Sequence, residues 1–198
     1  MKTVPGVKSI VVAALVLAAA PLLFAQSSGA PPDRSDGIKV HGHWTIDVMN
    51  PDGSLAGHYE FENALANHLG ASTFLNGVLA RTKRVGRWQV SLPDSNGQPL
   101  IWVVEPGTPG FAADSQTLAV TTPTTGPNAG KLVLSGNGTA PRAAQINFVQ
   151  SQTDDCPPPG EAGACTTSAF AFSQKNLTTA IPVAQGQIVQ LTVVFSFS

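Results

Sequence analysis

Lys39-Val40-His41-Gly42-His43-Trp44-Thr45-Ile46-Asp47-Val48 alternates without a break, and its reading decides the fold. Val40, Gly42, Trp44, Ile46 and Val48 fall on one side; Lys39, His41, His43, Thr45 and Asp47 fall on the other. A period of two with one apolar side marks a half-buried strand. Asn50-Pro51-Asp52-Gly53-Ser54 follows as a turn, in which Pro51 presets φ and Gly53 supplies a positive φ. Leu55 to Glu62 alternates again, with Leu55, Gly57, Tyr59 and Phe61 on one side. With Pro51 to Ser54 as a four-residue loop, Asn50 faces Leu55, Val48 faces Gly57, Ile46 faces Tyr59 and Trp44 faces Phe61. On the other side Asp47 meets His58, Thr45 meets Glu60 and His43 meets Glu62. A loop one residue shorter would set Trp44 against Glu60 and Ile46 against His58, which burial of one face forbids.

Downstream, Ala71, Phe74, Leu75, Val78 and Leu79 recur at helical spacing and predict one short amphipathic helix over Ala71 to Arg81. Gly77 weakens it by about 1 kcal/mol relative to Ala. Arg81, Lys83 and Arg84 stand at its C-terminal end, where positive charge complements the helix dipole. The rest reads as strands: Arg87 to Leu92 with Trp88, Val90 and Leu92 inward, then Leu100 to Val104, Leu118 to Thr122, Lys131 to Ser135, Ala144 to Gln150, Ala169 to Phe172 and Ile188 to Phe197. Segments such as Pro93-Asp94-Ser95-Asn96-Gly97 and Gly126-Pro127-Asn128-Ala129-Gly130 separate them with turn chemistry. Many short strands between Gly/Pro turns, without internal repeat, predict an all-β fold. The expected form is an antiparallel β-sandwich, or a partly open barrel, with the helix between its second and third strands.

Upstream, Lys2 and Lys8 precede an apolar run from Ile10 to Phe24, and Leu23-Phe24-Ala25 offers a cleavage site. Residues 1–25 therefore read as a secretory signal peptide. The apolar run is shorter than the roughly 20 residues of a spanning helix, and no Cys in it supports a lipid anchor. Residues 26–37 are Pro-, Gly- and Ser-rich without periodicity and read as a disordered leader. Residues 38–198 form the expected single domain. Loss of Lys2 and Lys8 leaves 9 basic against 12 acidic residues. That balance recruits neither nucleic acid nor an anionic membrane, and no membrane span is expected after signal cleavage. Two cysteines, Cys156 and Cys165, frame a Pro/Gly-rich loop and read as a disulfide in an exported chain.

Several constellations carry candidate chemistry. His41 and His43 share a strand face, and the register sets Glu62 opposite His43, which makes His41, His43 and Glu62 a weak candidate metal site. The register puts His58 roughly 13 Å away from His43. The competing reading is a solvated polar sheet face, and no metal or other cofactor is expected. His68, just before the helix, reads as a cap or surface residue. Glu60 and Glu62, about 7 Å apart on one face, fall in loose glycosidase range, but such pairs usually only solubilise a strand. No Gly-x-Ser-x-Gly elbow and no phosphate-cradling loop occurs. The expectation is a protein without catalysis. Arg81, Lys83, Arg84 and Arg87 form the only basic cluster, better explained by the helix end than by nucleic acid.

Gln187 to Ser198 carries Val189, Leu191, Val193, Phe195 and Phe197 on one face. A strand this long needs pairing. It either closes the domain's own sheet or exchanges with a second subunit; too few aromatics and too short strands argue against an outer-membrane barrel. The hairpin Trp44 to Leu55, followed by Glu60-Phe61-Glu62-Asn63 and a short helix, together with Val183-Ala184-Gln185-Gly186-Gln187 before the terminal strand, resembles uncharacterised exported bacterial β-rich proteins. It is similar, more loosely, to small β-rich phage tail or virion-associated proteins, where a Phe-x-Asn step likewise enters a helix. The resemblance covers both ends of the mature chain and implies no catalytic residues. The signal peptide departs from the phage pattern. The expected function is that of an exported, non-catalytic structural or surface-interaction protein, secreted, periplasmic or at the cell surface. Its partner is expected to be another copy, through the last strand, or a cell-surface ligand. The alternative is a secreted carbohydrate-type binding module using exposed aromatics such as Trp102, which could equally lie in the core.

Overall fold

The computed structural model describes residues 39–65, 69–158, 160, 165 and 169–198. They belong to one compact unit, Gly37–Ser198. The signal-peptide and leader segments, 1–25 and 26–37, and His68 lie outside the described residues. Along the chain run β1 (Val40–Met49), β2 (Leu55–Ala64), α1 (Leu69–Leu79), β3 (Arg84–Pro93), β4 (Pro99–Val104), a 3-10 turn (Ala113–Ser115), β5 (Ala119–Thr121), β6 (Leu132–Thr139), β7 (Ala144–Cys156), β8 (Ala169–Val183) and β9 (Ile188–Phe197). They form two antiparallel sheets, β2-β1-β9-β6-β5 and β4-β3-β7-β8. The sheets are not closed into a barrel, so the fold is an all-β sandwich with one short helix.

Alternation puts the core between the sheets. Trp44, Ile46 and Val48 of β1 and Val189, Leu191, Val193 and Phe195 of β9 face Val90, Leu92, Val103 and Val149 of the second sheet, all buried. An aromatic cluster bridges the layers: Trp88 and Phe172 from the four-stranded sheet each touch Phe195 of the five-stranded one, with centroids 5.9 and 5.1 Å apart. Burying a large apolar side chain of this kind contributes roughly 1.5–3 kcal/mol.

The β1–β2 register agrees with expectation at Val48↔Gly57, Ile46↔Tyr59 and Trp44↔Phe61, and at Asp47↔His58, Thr45↔Glu60 and His43↔Glu62. It departs next to the turn, where Met49 rather than Asn50 faces Leu55 and Ala56 bulges. The turn explains the shift. Asn50 N–H donates to the Ser54 carbonyl at 2.8 Å and Gly53 N–H to the Asn50 carbonyl at 2.9 Å, so Asn50 closes on Ser54. Asp52 Oδ1 accepts from the Ser54 amide and hydroxyl, at 2.9 and 2.6 Å. Gly53 takes φ +84° there, as the turn requires.

The terminal strand is internal. β9 pairs with β1 along one edge and with β6 along the other. It therefore closes the chain's own sheet and offers no free edge. Phe197, expected inward with its neighbours, is 52% exposed because it lies at the end of the sheet.

The helix differs from expectation in three ways. It spans Leu69–Leu79 rather than Ala71 to Arg81. Ala71 and Phe74 are buried, but Leu79, its last residue, is 67% exposed. The basic residues do not complement its dipole from within, since none stands in the last turn. Arg81 instead adopts φ +60°, while Thr82 N–H donates to the Gly77 carbonyl and Arg81 N–H to the Val78 carbonyl. That is the Schellman arrangement, with an arginine in the place glycine usually takes. Lys83 then folds back over Gly77 to pair with Asp155, and Arg84 Nε–H donates to the Pro157 carbonyl at 3.0 Å.

Cys156 and Cys165 form a disulfide at the end of β7. A Cβ on neighbouring Gly86 would come within 2.6 Å of Cys156 Sγ and of Asp154 Cβ, so only glycine fits beside it. A disulfide fits an oxidising, extracytoplasmic compartment. Among the described residues, no helix is long and apolar enough to cross a membrane.

Candidate functional site

The outer face of the four-stranded sheet is where side chains gather with the means to bind something. Val90, Leu92, Ile101 and Val103 turn inward, so Ser91 and Trp102, which are cross-strand partners, turn outward. Ser91 also faces Gln150 of β7, and Gln150 faces Gln174 of β8. One straight row, Trp102–Ser91–Gln150–Gln174, thus crosses all four strands. Gln89 and Gln152 face each other in the next row, and Phe148 faces Asn176 on the far side.

Trp102 stays 36% exposed although its ring is held on two sides. Its Nε1–H donates to Gln89 Oε1 at 3.1 Å, and Gln89 Nε2–H donates to Asp154 Oδ1 at 3.3 Å. Gln89 and Asp154 are themselves buried. Phe111 meets the indole edge to face, with centroids 4.8 Å apart and planes at 75°. The loop that carries Phe111 is braced by Gln116, whose Nε2–H donates to the Phe111 carbonyl and whose Oε1 accepts from the Gly107 amide. The ring is therefore fixed before any ligand arrives, which lowers the ordering cost of binding. Beside it the glutamines form a directed chain: Gln152 Nε2–H to Gln150 Oε1 at 2.8 Å, and Gln150 Nε2–H to Gln174 Oε1 at 3.4 Å.

The residues singled out from sequence lie mostly on the other sheet. His43 Nδ1 sits 2.9 Å from Glu62 Oε1, while His41 Nε2 lies 3.4 Å from Ser198 Oγ. Among the described residues no three His, Cys, Asp or Glu side chains gather to hold a metal ion, so His41, His43 and Glu62 make a pair plus a neighbour. His58 Nδ1 is 2.6 Å from Asp47 Oδ1, and its Nε2 is 3.4 Å from Glu60 Oε1. The hydrogen bond with Asp47, reinforced by the Asp47 and Glu60 charges, raises the His58 pKa above its ordinary value. Glu60 and Glu62 thus each face a histidine rather than acting as a pair.

Concavities lie elsewhere. The free edges of β2 and β8 meet at a Leu65–Ser173 bridge. Beyond it they diverge into clefts of about 300 and 540 Å³ that share Tyr59. β8 opens the smaller cleft with a bulge, residues 177–180 standing opposite Asn147 alone. An apolar groove of about 430 Å³ lies between Leu75, Val78 and Leu79 of α1 and Phe197.

The chain matches no family model, no curated protein and no solved structure among those it was compared with.

Sequence reasoning found Trp102 but missed the amides around it. The i, i+2 spacing of Gln150 and Gln152 in a strand does place both on one face. Gln174 could not be found, because the expected strand stopped at Phe172.

Proposed function

We propose that the chain is an exported, non-catalytic surface-interaction protein that works as a ligand-binding module of carbohydrate type. Its contact surface is the outer face of the four-stranded sheet. The observation that carries this reading is the fixed, partly exposed indole of Trp102, standing at the end of a row of amide side chains. An aromatic ring offers an apolar platform and carboxamides offer paired donors and acceptors, the mixture on which ligand sites are generally built. The disulfide and the resemblance to exported β-rich proteins support an extracytoplasmic setting, in the periplasm, in the medium or on the surface. A structural role through exchange of the last strand loses its motive, since both edges of β9 are occupied within the chain.

The test is a glycan array probed with the exported chain and with Trp102→Ala, both checked for folding by near-UV circular dichroism. Selective retention that the variant loses supports the reading. A folded wild type that retains no glycan, or a variant that retains the same glycans equally well, sinks it.

A further inference from the structure

Resting on that reading, we infer that the ligand is a neutral, linear glycan of several sugars, lying across the strands from Trp102 to Gln174. Three features of the face narrow the ligand this far.

The first is charge. The row Trp102–Ser91–Gln150–Gln174 and the flanking Phe148–Asn176 pair carry no ionisable side chain. Asp154, which accepts from Gln89, is buried. Arg87, two residues before Gln89 on β3, reaches toward Gly107 rather than along the row, and two other neighbouring cations are engaged elsewhere. Lys175 reaches the Glu62 carbonyl on the opposite side of β8, and Arg142 pairs with Asp94. An anionic glycan would have to shed water from its charges and would meet no cation along the row, which is costly. A neutral one pays only for hydroxyls, and the amides replace the water these lose.

The second is length and direction. Strands are spaced by roughly 4.8 Å, so Trp102 and Gln174 stand about 14 Å apart across three steps. That is longer than one sugar ring. The row runs from strand to strand across the sheet, so it fits an unbranched chain; a branch would have to leave on the solvent side.

The third is polarity along the row. Trp102 and Phe111 make one end apolar, suited to the C–H face of a pyranose. The glutamine chain runs from Gln152 through Gln150 to Gln174, which leaves the exposed Gln174 with its Nε2 donors at the far end. A carboxamide with a donor and an acceptor side by side matches two adjacent hydroxyls, each of which can donate and accept. The Trp102 end therefore holds a sugar by stacking, and the Gln150–Gln174 end holds another by hydrogen bonds.

Affinity electrophoresis of the exported chain tests this, in gels loaded with a soluble neutral β-glucan or xylan and, in parallel, with polygalacturonate or alginate. The neutral gels should retard the protein and the polyanionic gels should not. Trp102→Ala should weaken retardation by roughly tenfold or more. Titration with oligosaccharides of the retained polymer should show affinity rising from disaccharide to tetrasaccharide. The double variant Gln150→Ala/Gln174→Ala should abolish that rise. Retardation by polyanions alone, with loss in Trp102→Ala, overturns the neutral ligand but leaves the glycan-binding reading standing. Affinity independent of chain length overturns the extended row in the same way. A folded protein retarded by no glycan overturns both.

Discussion

The two sheets of this sandwich present outer faces of opposite character. On the five-stranded sheet, His43 and His58 each stand against a carboxylate of the adjacent strand, so the polar groups there answer one another. On the four-stranded sheet the outward row is uncharged, and its polar groups are amides that satisfy one another only in part around an exposed indole. On the first face each histidine already has a carboxylate partner, and contacts between exposed groups of this kind are weak. The second leaves an apolar ring partly exposed. A ring held by Gln89 and Phe111, yet left open, is the better mark of a contact surface.

That contrast can be sharpened by experiments of decreasing effect. The largest tests whether the faces are faces at all. Leu191→Ala, inward in β9, should cost about 2–5 kcal/mol in urea denaturation. The adjacent Gln190→Ala, outward, should stay within about 0.5 kcal/mol. Comparable losses at both positions would break the alternation on which the comparison rests.

Next comes the pin at the end of β7. Replacing Cys156 and Cys165 together by serine should cost about 2.7 kcal/mol by the chain-entropy estimate for a ten-residue loop. Because Asp154 precedes Cys156 and braces Gln89 and thus Trp102, the same variant should broaden the Trp102 indole resonance. The backbone amides of β1 and β2 should keep their shifts. An unchanged indole signal would show that the loop does not steady the binding face.

A third experiment asks whether the first face is a bystander. His43→Gln with Glu62→Gln should leave glycan retention as it is in the wild type, measured in the same gels. Loss of retention would move the contact surface to the wrong sheet.

The smallest effects are in pH. His58 has a folded pKa raised above its ordinary value of 6.5, first by the hydrogen bond with Asp47. Its contribution to stability is therefore complete below about 6.5 and is lost as pH rises through the raised value; His58→Gln should remove that alkaline-side loss from the denaturation midpoint. Asp94 runs the other way. The hydrogen bond from Arg142, with those from the Gln98 and Asn96 amides, holds its carboxyl below the ordinary 3.8. Its contribution is present above that value and is lost as pH falls through the lowered one, so Asp94→Asn should remove that part of the acid-side loss. If either variant keeps the wild-type pH profile, the pairing concerned contributes nothing in solution.

Much of the fold was legible in the chain. The β1–β2 register away from the turn, the inward residues of β3 and the full extent of β9 all follow from alternation, because a strand with one buried face must alternate. Legibility failed where that link between burial and apolarity breaks. Ser151-Gln152-Thr153-Asp154-Asp155 looks like a loop, yet it extends β7. Ser151 and Thr153 are fully buried, and Ser151 shares a 2.7 Å hydrogen bond with the equally buried Ser173 of β8. A buried hydroxyl with a partner costs little, but its partner is a residue of another strand and cannot be seen locally. The same blindness shortened β8 from Ala169–Val183 to its first four residues, since buried Ser173 opens the polar run Ser173-Gln174-Lys175-Asn176.

The sequence by itself determined the antiparallel hairpin, the all-β class, the cysteine pairing and the position of the last strand, because each rests on local periodicity or short loop closure. Only the tertiary structure decided that β9 lies inside a sheet, that Arg81 caps the helix, and that Trp102, Gln150 and Gln174 form one row. Those facts depend on which strands become neighbours, and that is settled by packing two sheets on a shared core rather than by any segment alone.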